Sequence, residues 1–110
     1  MKYTKGAELI AEERNRQIET EGWNSEHDDH SGGSLGVAGA CYALNIESVI
    51  STWANEALKY HYENESKKLW PWKGTWWKPT PEDPIKQLTK AGSLIAAEID
   101  RILRIRGMKG

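Results

Sequence analysis

The stretch from residue 80 to residue 107, TPEDPIKQLTKAGSLIAAEIDRILRIRG, decides the fold class. Thr80 is a suitable N-cap, Pro81 suits the first helical position, and Gly107 ends the pattern. Between them, apolar residues and one glycine recur at alternating steps of three and four, which is the period of an α-helix. These positions are Ile85, Leu88, Gly92, Ile95, Ile99 and Ile102. We therefore expect a long final helix whose stripe, including Ile95, faces the core.

Two further helices are predicted upstream of this one. The first begins after Thr4, a good N-cap, and runs to about Thr20, with Gly22 as the stop. The second begins near Ser34 and is rich in small residues, namely Gly36, Ala38, Gly39, Ala40 and Ala43. Because small side chains let another helix approach closely, this is expected to be the central and most buried helix.

A third amphipathic segment is predicted from about Glu47, and the polar run at 63–68 is expected to end it. Its apolar face contains Ile50, Trp53, Ala54, Ala57 and Leu58. Residues 22–33 are rich in Gly, Asn, Asp and Ser and are predicted to form a loop. No strand alternation is convincing. The sequence thus predicts one all-α domain over 1–110, a compact bundle of three to four helices with a Trp-rich irregular loop before the last.

Composition excludes several classes of protein. Fifteen Lys and Arg oppose sixteen Asp and Glu, and without a basic excess we expect no nucleic-acid polymer as partner. Cys41 is the only cysteine and lies in an apolar run, so a buried structural thiol is expected rather than a nucleophile. No apolar stretch is long enough for a membrane span and no signal-peptide pattern opens the chain. The expected location is the cytoplasm, without a membrane partner.

The tryptophan-rich segment from Trp70 to Pro79 is the strongest functional signal. The chain has six Trp, four Tyr and no Phe, and four of the Trp fall between Trp70 and Trp77. Prolines interrupt the segment, so one helix cannot bury them all. Trp72, Trp76 and Trp77 could form a stacking platform for a flat ring, with Lys78 placed to meet a phosphate. A structural lid over the bundle end, or a contact between chains, explains the segment equally well.

The acidic stretch Glu26-His27-Asp28-Asp29-His30 invites a metal-site interpretation. Adjacent loop residues point in different directions, however, so the motif is weak as a ligand set. Helix capping, or pairing with Arg14 or Arg16, is the simpler account. We expect no tightly held metal and no cofactor.

The first helix carries a polar face whose role is open. Glu12 and Glu13 stand at helical spacing from Arg16 and Gln17, so a solvated, salt-bridged face explains them. If the aromatic platform lies nearby, Arg16 and Gln17 could instead contact a phosphate or a base edge.

Together, these motifs resemble a family of short hypothetical proteins from phages and prophages. The resemblance spans most of the chain and rests on the following segments: ERNRQI at 13–18, EGW at 21–23, EHDD at 26–29, WPW at 70–72, WWKP at 76–79 and AGSLIAAEIDR at 91–101. That family has no firmly assigned activity. The resemblance therefore implies a phage-encoded protein in the cytoplasm of the host cell, but it does not indicate a reaction.

Two broader classes of protein suggest what the activity is. All-α nucleotide pyrophosphohydrolases of the MazG group are similar in size and class, and they hold Mg²⁺ with carboxylate pairs on two core helices. Here the second helix has no carboxylate between Ser34 and Asn45, which departs from that pattern. Phage sponges that sequester nucleotide signals of host immunity need stacking and phosphate contacts but no catalyst. Their chemistry suits the residues present.

The leading prediction is therefore a phage-type, counter-defence protein that binds a nucleotide or nucleotide-derived ligand without turning it over. The predicted ligand-binding residues are Arg16, Gln17, Trp23, His27, Asp28, Asp29, Trp72, Trp76, Trp77 and Lys78. A homo-oligomer is expected, with the site possible between chains. One alternative is Mg²⁺-dependent nucleotide hydrolysis using Glu13, Asp28 and Asp29. The other is a protein-binding module that docks a host factor on the Trp patch.

Overall fold

The computed structural model describes residues 2–31, 33–45 and 56–107, except for the side chains of 56–60. Over these ranges it contains helices and no strand, which confirms the predicted all-α class and the Trp-rich loop before the last helix. The elements in chain order are α1 (Lys5–Glu21), α2 (Ser25–Asp29), α3 (Ser34–Leu44), α4 (Glu56–Leu69), a 3₁₀ turn (Gly74–Trp76) and α5 (Pro84–Ile105). Within these ranges no helix is long and apolar enough to span a bilayer.

Helix α1 begins and ends where its local sequence predicts. The Thr4 hydroxyl accepts a hydrogen bond from the Ala7 N–H at 3.3 Å, which caps the N-terminus. Gly22 follows the helix with φ of 74°, a left-handed conformation that glycine adopts without strain.

Residues 22–33 are not one loop, because they contain the short helix α2. The Asn24 side chain accepts from the His27 N–H at 3.0 Å and caps it, and Glu26 and Asp28 lie in its first turn. Asp28 is fully buried and bonded to Arg14 of α1, so one tertiary ion pair holds a turn too short to be stable alone.

The start of α5 also differs from its prediction. Asp83 rather than Thr80 is the N-cap, accepting from the Lys86 N–H at 3.2 Å, and Pro84 rather than Pro81 occupies the first turn. The backbone N–H and hydroxyl of Thr80 instead donate to the Gln87 carbonyl oxygen Oε1. Gly107 lies just beyond the end of the helix with φ of 73°, as predicted.

The apolar stripe of α5 does not face the core. Ile85, Leu88, Ile95, Ile99 and Ile102 are between 37 and 66% exposed. The buried positions on α5 are instead Gln87, Ala91, Ser93, Leu94 and Ala97. The expected core placement of Ile95 is wrong: its side chain borders Gly39 of α3 but stays 42% exposed, at the edge of the contact between the two helices. The centre of that contact is made by small side chains of α5, which permit a closer backbone approach than isoleucine would.

Helix α3 is central and buried, as its small residues predict. Leu35, Ala38 and Tyr42 pack with Ala91, Leu94 and Ala97 of α5 to form the core. Cys41 is also buried, and burial raises the pKa of its thiol, in keeping with a structural role.

Helix α4 runs through the polar segment predicted to end it. The residues at 63–68 are helical up to Leu69, because Glu and Lys are good helix formers and Lys68 pairs with Glu65 one turn away. Ile50, Trp53 and Ala54, predicted for the apolar face of this segment, lie outside the described residues. So do the side chains of Ala57 and Leu58.

Candidate functional site: a tryptophan-lined cavity

A cavity of about 420 Å³ lies beside α1, α2 and the tryptophan-rich segment, with residues of α3 and α5 also in its wall. Its volume is within the range of small-molecule sites. The residues that line it are Glu13, Arg16, Gln17, Glu21, Trp23, His27, Ser31, Tyr42, Trp70, Trp72, Trp76, Lys78, Lys90 and Leu94. We call it the Trp cavity.

The Trp cavity brings together most of the predicted ligand-binding residues from three separate parts of the chain. Those in its wall are Arg16, Gln17, Trp23, His27, Trp72, Trp76 and Lys78. The other three, Asp28, Asp29 and Trp77, are not part of the lining. Asp28 is bonded to Arg14 at 2.7 Å, and Asp29 to Arg104 at 2.8 Å. Trp77 stacks on Tyr42, with ring centroids 4.9 Å apart.

Several lining residues were not among those predicted as ligand-binding. Trp70 belongs to the segment already singled out, and Glu13 and Glu21 flank Arg16 on α1. Tyr42, Lys90 and Leu94 come from helices α3 and α5, and nothing in their local sequence separates them from core or surface positions. Only the packing of those helices against the Trp segment reveals them.

One wall is a cluster of indole rings whose orientation is set by hydrogen bonds. The Trp70 and Trp72 rings meet edge to face at 5.2 Å. The indole N–H of Trp70 donates to the Lys73 carbonyl at 3.0 Å, and that of Trp72 donates to the Ser34 hydroxyl at 2.8 Å. Trp76 meets Trp72 at 6.2 Å and is 56% exposed, so its ring has free surface at the cavity.

A second aromatic wall comes from α2 and the turn before it. The rings of Trp23 and His27 stack with a centroid distance of 5.6 Å and an interplanar angle of 2°. The His27 Nδ1 lies 3.1 Å from the Asp28 carboxylate. Because a carboxylate only accepts, Nδ1 carries the proton and Nε2 is left for another partner. Asp28 also accepts from Arg14, so the buried ion pair positions the imidazole.

The polar side of the cavity centres on Arg16 of α1. Its guanidinium donates twice to Glu13, at 2.7 and 2.9 Å, and once to Glu21 at 3.0 Å. The hydrogen bond from Arg16 lowers the pKa of the Glu13 carboxyl. The guanidinium is still about half exposed. It is a positioned cation whose two carboxylate partners would compete with any anionic ligand.

The α5 side of the cavity contributes Lys90, and Gln17 of α1 packs against the same helix. The Lys90 ammonium donates to the Lys78 carbonyl at 2.7 Å and stands 5.5 Å from the Tyr42 ring centroid. Burial lowers the pKa of Lys90. Gln17 is buried and its amide N–H₂ donates to the Ser93 hydroxyl at 2.8 Å, while its Oε1 has no partner among the described residues.

The arrangement is suited to hold a flat ring and an anionic group side by side. Aromatic side chains line the cavity together with Arg16, Lys78 and Lys90, and the carboxylates of Glu13 and Glu21 offset part of this positive charge. The carboxylates proposed for a metal-dependent reaction do not converge. Glu13 pairs with Arg16, Asp28 with Arg14 and Asp29 with Arg104. Among the described residues, no group of three or more acidic, His or Cys side chains is placed to share a metal ion.

Comparison of the chain with protein-family models, with curated proteins and with solved structures finds no match.

Proposed function

We propose that this protein binds a nucleotide or nucleotide-derived small molecule in the Trp cavity and releases it unchanged. One observation carries the proposal: indole and imidazole rings from distant segments and three cations line a single cavity of about 420 Å³. Nucleotides combine the two chemistries that such a cavity recognises, a flat π-system and phosphate.

The base-binding part of the proposal rests on the exposed ring of Trp76. Trp70 and Trp77 pack against the core and have structural roles, whereas Trp76 presents more than half of its surface. Trp72 supports Trp76 at 6.2 Å and is itself held by Ser34. A base stacked on Trp76 would gain about 1–3 kcal/mol. The segment would thus serve both as a lid over the bundle and as a stacking surface.

The phosphate-binding part rests on Arg16, Lys78 and Lys90. These three side chains border one cavity although they come from α1, the Trp segment and α5. Arg16 is already oriented by Glu13, so less side-chain entropy is lost when it meets a ligand. His27, held by Asp28, and the buried Gln17 would contact the edges of the base or ribose.

Binding without turnover is favoured over hydrolysis because of how the carboxylates are used. A Mg²⁺-dependent reaction through Glu13, Asp28 and Asp29 would need these oxygens around one ion. Asp28 is fully buried against Arg14, and Asp29 pairs with Arg104 of α5. Each carboxylate therefore serves a separate ion pair.

In the phage setting implied by the sequence resemblance, such a protein would act in the host-cell cytoplasm. It would lower the free concentration of a nucleotide signal used by host defence. A sponge of this kind depends on affinity and on the amount of protein, and it needs no catalytic group.

The direct experiment is to titrate the protein with a panel of linear and cyclic nucleotides and ADP-ribose derivatives. Binding is monitored through tryptophan fluorescence. We expect at least one to quench the emission and raise the melting temperature. The folded protein should then be incubated with that compound and Mg²⁺ and denatured to release it. Chromatography should recover the compound intact. If no compound in the panel binds, the proposal fails. If the recovered compound is cleaved, the protein is a hydrolase instead.

A further inference from the structure

Gln17 of α1 has a hydrogen-bond acceptor that no described residue uses. The side chain is 3% exposed, and its carbonyl oxygen Oε1 has no hydrogen-bond partner among the described residues. An unpaired buried acceptor destabilises a folded protein, and most buried polar groups are therefore paired. Because Gln17 also lines the Trp cavity, a ligand bound in that cavity would supply the missing donor.

Neighbouring groups determine which end of the Gln17 amide is the acceptor. Its nitrogen Nε2 donates to the Ser93 hydroxyl at 2.8 Å and to the Glu13 carboxylate at 3.4 Å. The Ser93 hydroxyl donates its own proton to the Lys90 carbonyl at 2.9 Å, so it only accepts from Gln17. The Glu13 carboxylate, paired with Arg16, likewise only accepts. Turning the amide over would place its oxygen against two acceptors, so the oxygen is the end without a partner.

His27 of α2 supplies a second neutral acceptor to the same cavity. Its Nδ1 lies 3.1 Å from the Asp28 carboxylate and carries the proton, so Nε2 can only accept a hydrogen bond. Asp28 is fully buried and also accepts from Arg14 at 2.7 Å, which holds the carboxylate behind the imidazole. The protein thus fixes the acceptor role of both Gln17 and His27 before any ligand binds.

The charges of the cavity divide the ligand into two parts. Arg16, Lys78 and Lys90 have N–H groups on cations, which are the natural partners of phosphate oxygens. The neutral acceptors on Gln17 and His27 have nothing to offer a phosphate, because its oxygens also accept. They are left for the uncharged part of the ligand. A ring that satisfies them has to present N–H donors.

We infer that the base held in the Trp cavity carries an exocyclic amino group, and that Gln17 selects it through Oε1, with His27 as a second acceptor. The inference rests on the proposed function, because it assumes that a nucleotide base occupies the cavity. Adenine, cytosine and guanine carry such a group, whereas uracil and hypoxanthine do not. A carbonyl oxygen against Oε1 of Gln17 would leave two acceptors unpaired. Sites that hydrogen-bond an N–H of the ligand discriminate strongly against the analogue that lacks it.

Matched pairs of nucleotides test the inference on the unaltered protein. The pairs are AMP with IMP, CMP with UMP and GMP with IMP, titrated by calorimetry. In the pair that contains the tightest binder, we expect the member with the amino group to bind about 10-fold more tightly or better. If the member without the amino group binds equally well or better, the inference is wrong although the proposed function stands. If no nucleotide binds, the proposed function fails and the inference fails with it.

Two variants test the role assigned to Gln17. Gln17→Met removes the acceptor at similar volume, so the two members of the pair should bind within about 3-fold of each other. Lys78→Gln is the control, because Lys78 bonds to Tyr42 and Lys90 through its backbone. It should weaken both members by a similar factor and keep the preference for the amino group.

A Gln17→Met protein that is folded and keeps the full preference would overturn the role of Gln17. So would a variant that weakens both members of the pair equally, since Gln17 would then only support the shape of the cavity. Circular dichroism melting of the same samples shows whether the variant is folded. If it is not, the nucleotide pairs on the unaltered protein still decide whether the cavity selects an amino group.

Discussion

Gly39 of α3 lies directly against Ala91 of α5. A Cβ added to Gly39 would stand 2.9 Å from the Ala91 carbonyl oxygen and 2.9 Å from Cγ1 of Ile95. The carbonyl belongs to a helix backbone and cannot turn aside as a side chain can. The spacing of the two core helices is therefore limited by the absence of a side chain at residue 39.

Gly39→Ala should separate α3 from α5 and destabilise the protein by about 1–3 kcal/mol, the usual effect of overpacking. Denaturant unfolding measures the change. Gly6→Ala is the control, because a Cβ at Gly6 meets nothing within 4 Å. That substitution, within α1, should stabilise slightly through higher helix propensity. Equal effects at the two positions would show that the close helix contact is not what makes Gly39 necessary.

Trp76→Ala and Trp77→Ala should separate ligand binding from folding. Trp76 is largely exposed, so its loss should leave the melting temperature nearly unchanged and weaken nucleotide binding by about 1–3 kcal/mol. Trp77 stacks on Tyr42 and packs against the core, so its loss should destabilise by about 2–4 kcal/mol. Calorimetry and ligand titration on the same samples measure both. A Trp76→Ala protein that is fully folded and binds like the parent would remove the proposed stacking site.

Asp28→Asn should destabilise the protein by about 2–4 kcal/mol, because Arg14 is 9% exposed and would keep its buried charge with only the longer ion pair to Asp100, at 3.7 Å, in place of the 2.7 Å bond to Asp28. Asp29→Asn is the matched control. Its carboxylate is half exposed and pairs with Arg104, so the cost should stay below about 1 kcal/mol. Urea unfolding of the two variants tests the contrast. Similar losses would mean that the Arg14–Asp28 pair does not anchor α2.

Glu21→Gln should strengthen the binding of a phosphorylated ligand several-fold. The substitution removes one of the two carboxylates bonded to Arg16, so the guanidinium gains a free N–H and the cavity loses a negative charge. The gain should shrink as salt is added, because exposed charges are screened. Binding of the matching nucleoside without phosphate should not change. If the nucleoside gains as much as the nucleotide, Arg16 does not contact phosphate.

The Glu13 carboxyl should contribute to acid sensitivity. Its pKa in the folded protein is lowered from 4.5 by the hydrogen bond from Arg16, so the folded state favours the ionised form. The associated stability is fully present above about pH 4.5 and is lost as the pH falls through the folded-state pKa. Glu13→Gln should therefore melt below the parent near neutral pH, with the gap closing in acid. Melting curves from pH 3 to pH 7 measure it, and a constant gap would contradict the assignment.

The local sequence predicted the ends of α1 because capping acts over a few residues. The Thr4 hydroxyl accepts from the N–H three residues on, and Gly22 adopts a left-handed conformation that glycine reaches without strain. The same reasoning failed at Thr80, which bonds to Gln87 after the chain has folded back. It also missed α2, since that helix depends on a partner fourteen residues away in sequence, Arg14.

Sequence by itself determined that the chain is helical, that α3 is the close-packed centre, and that the Trp segment is irregular. Each of these follows from periodicity, side-chain size or proline, and none needs a distant partner. Tertiary structure alone decided that Ile95 lies at the edge of the α3–α5 contact rather than in the core, that Trp77 is structural while Trp76 is open, and that Lys90 joins Arg16 at one cavity. Periodicity defines a stripe on a helix but not which neighbour the stripe meets. The small residues of α5 form the contact with α3, because Ala91 packed against Gly39 lets the two helix backbones approach closely.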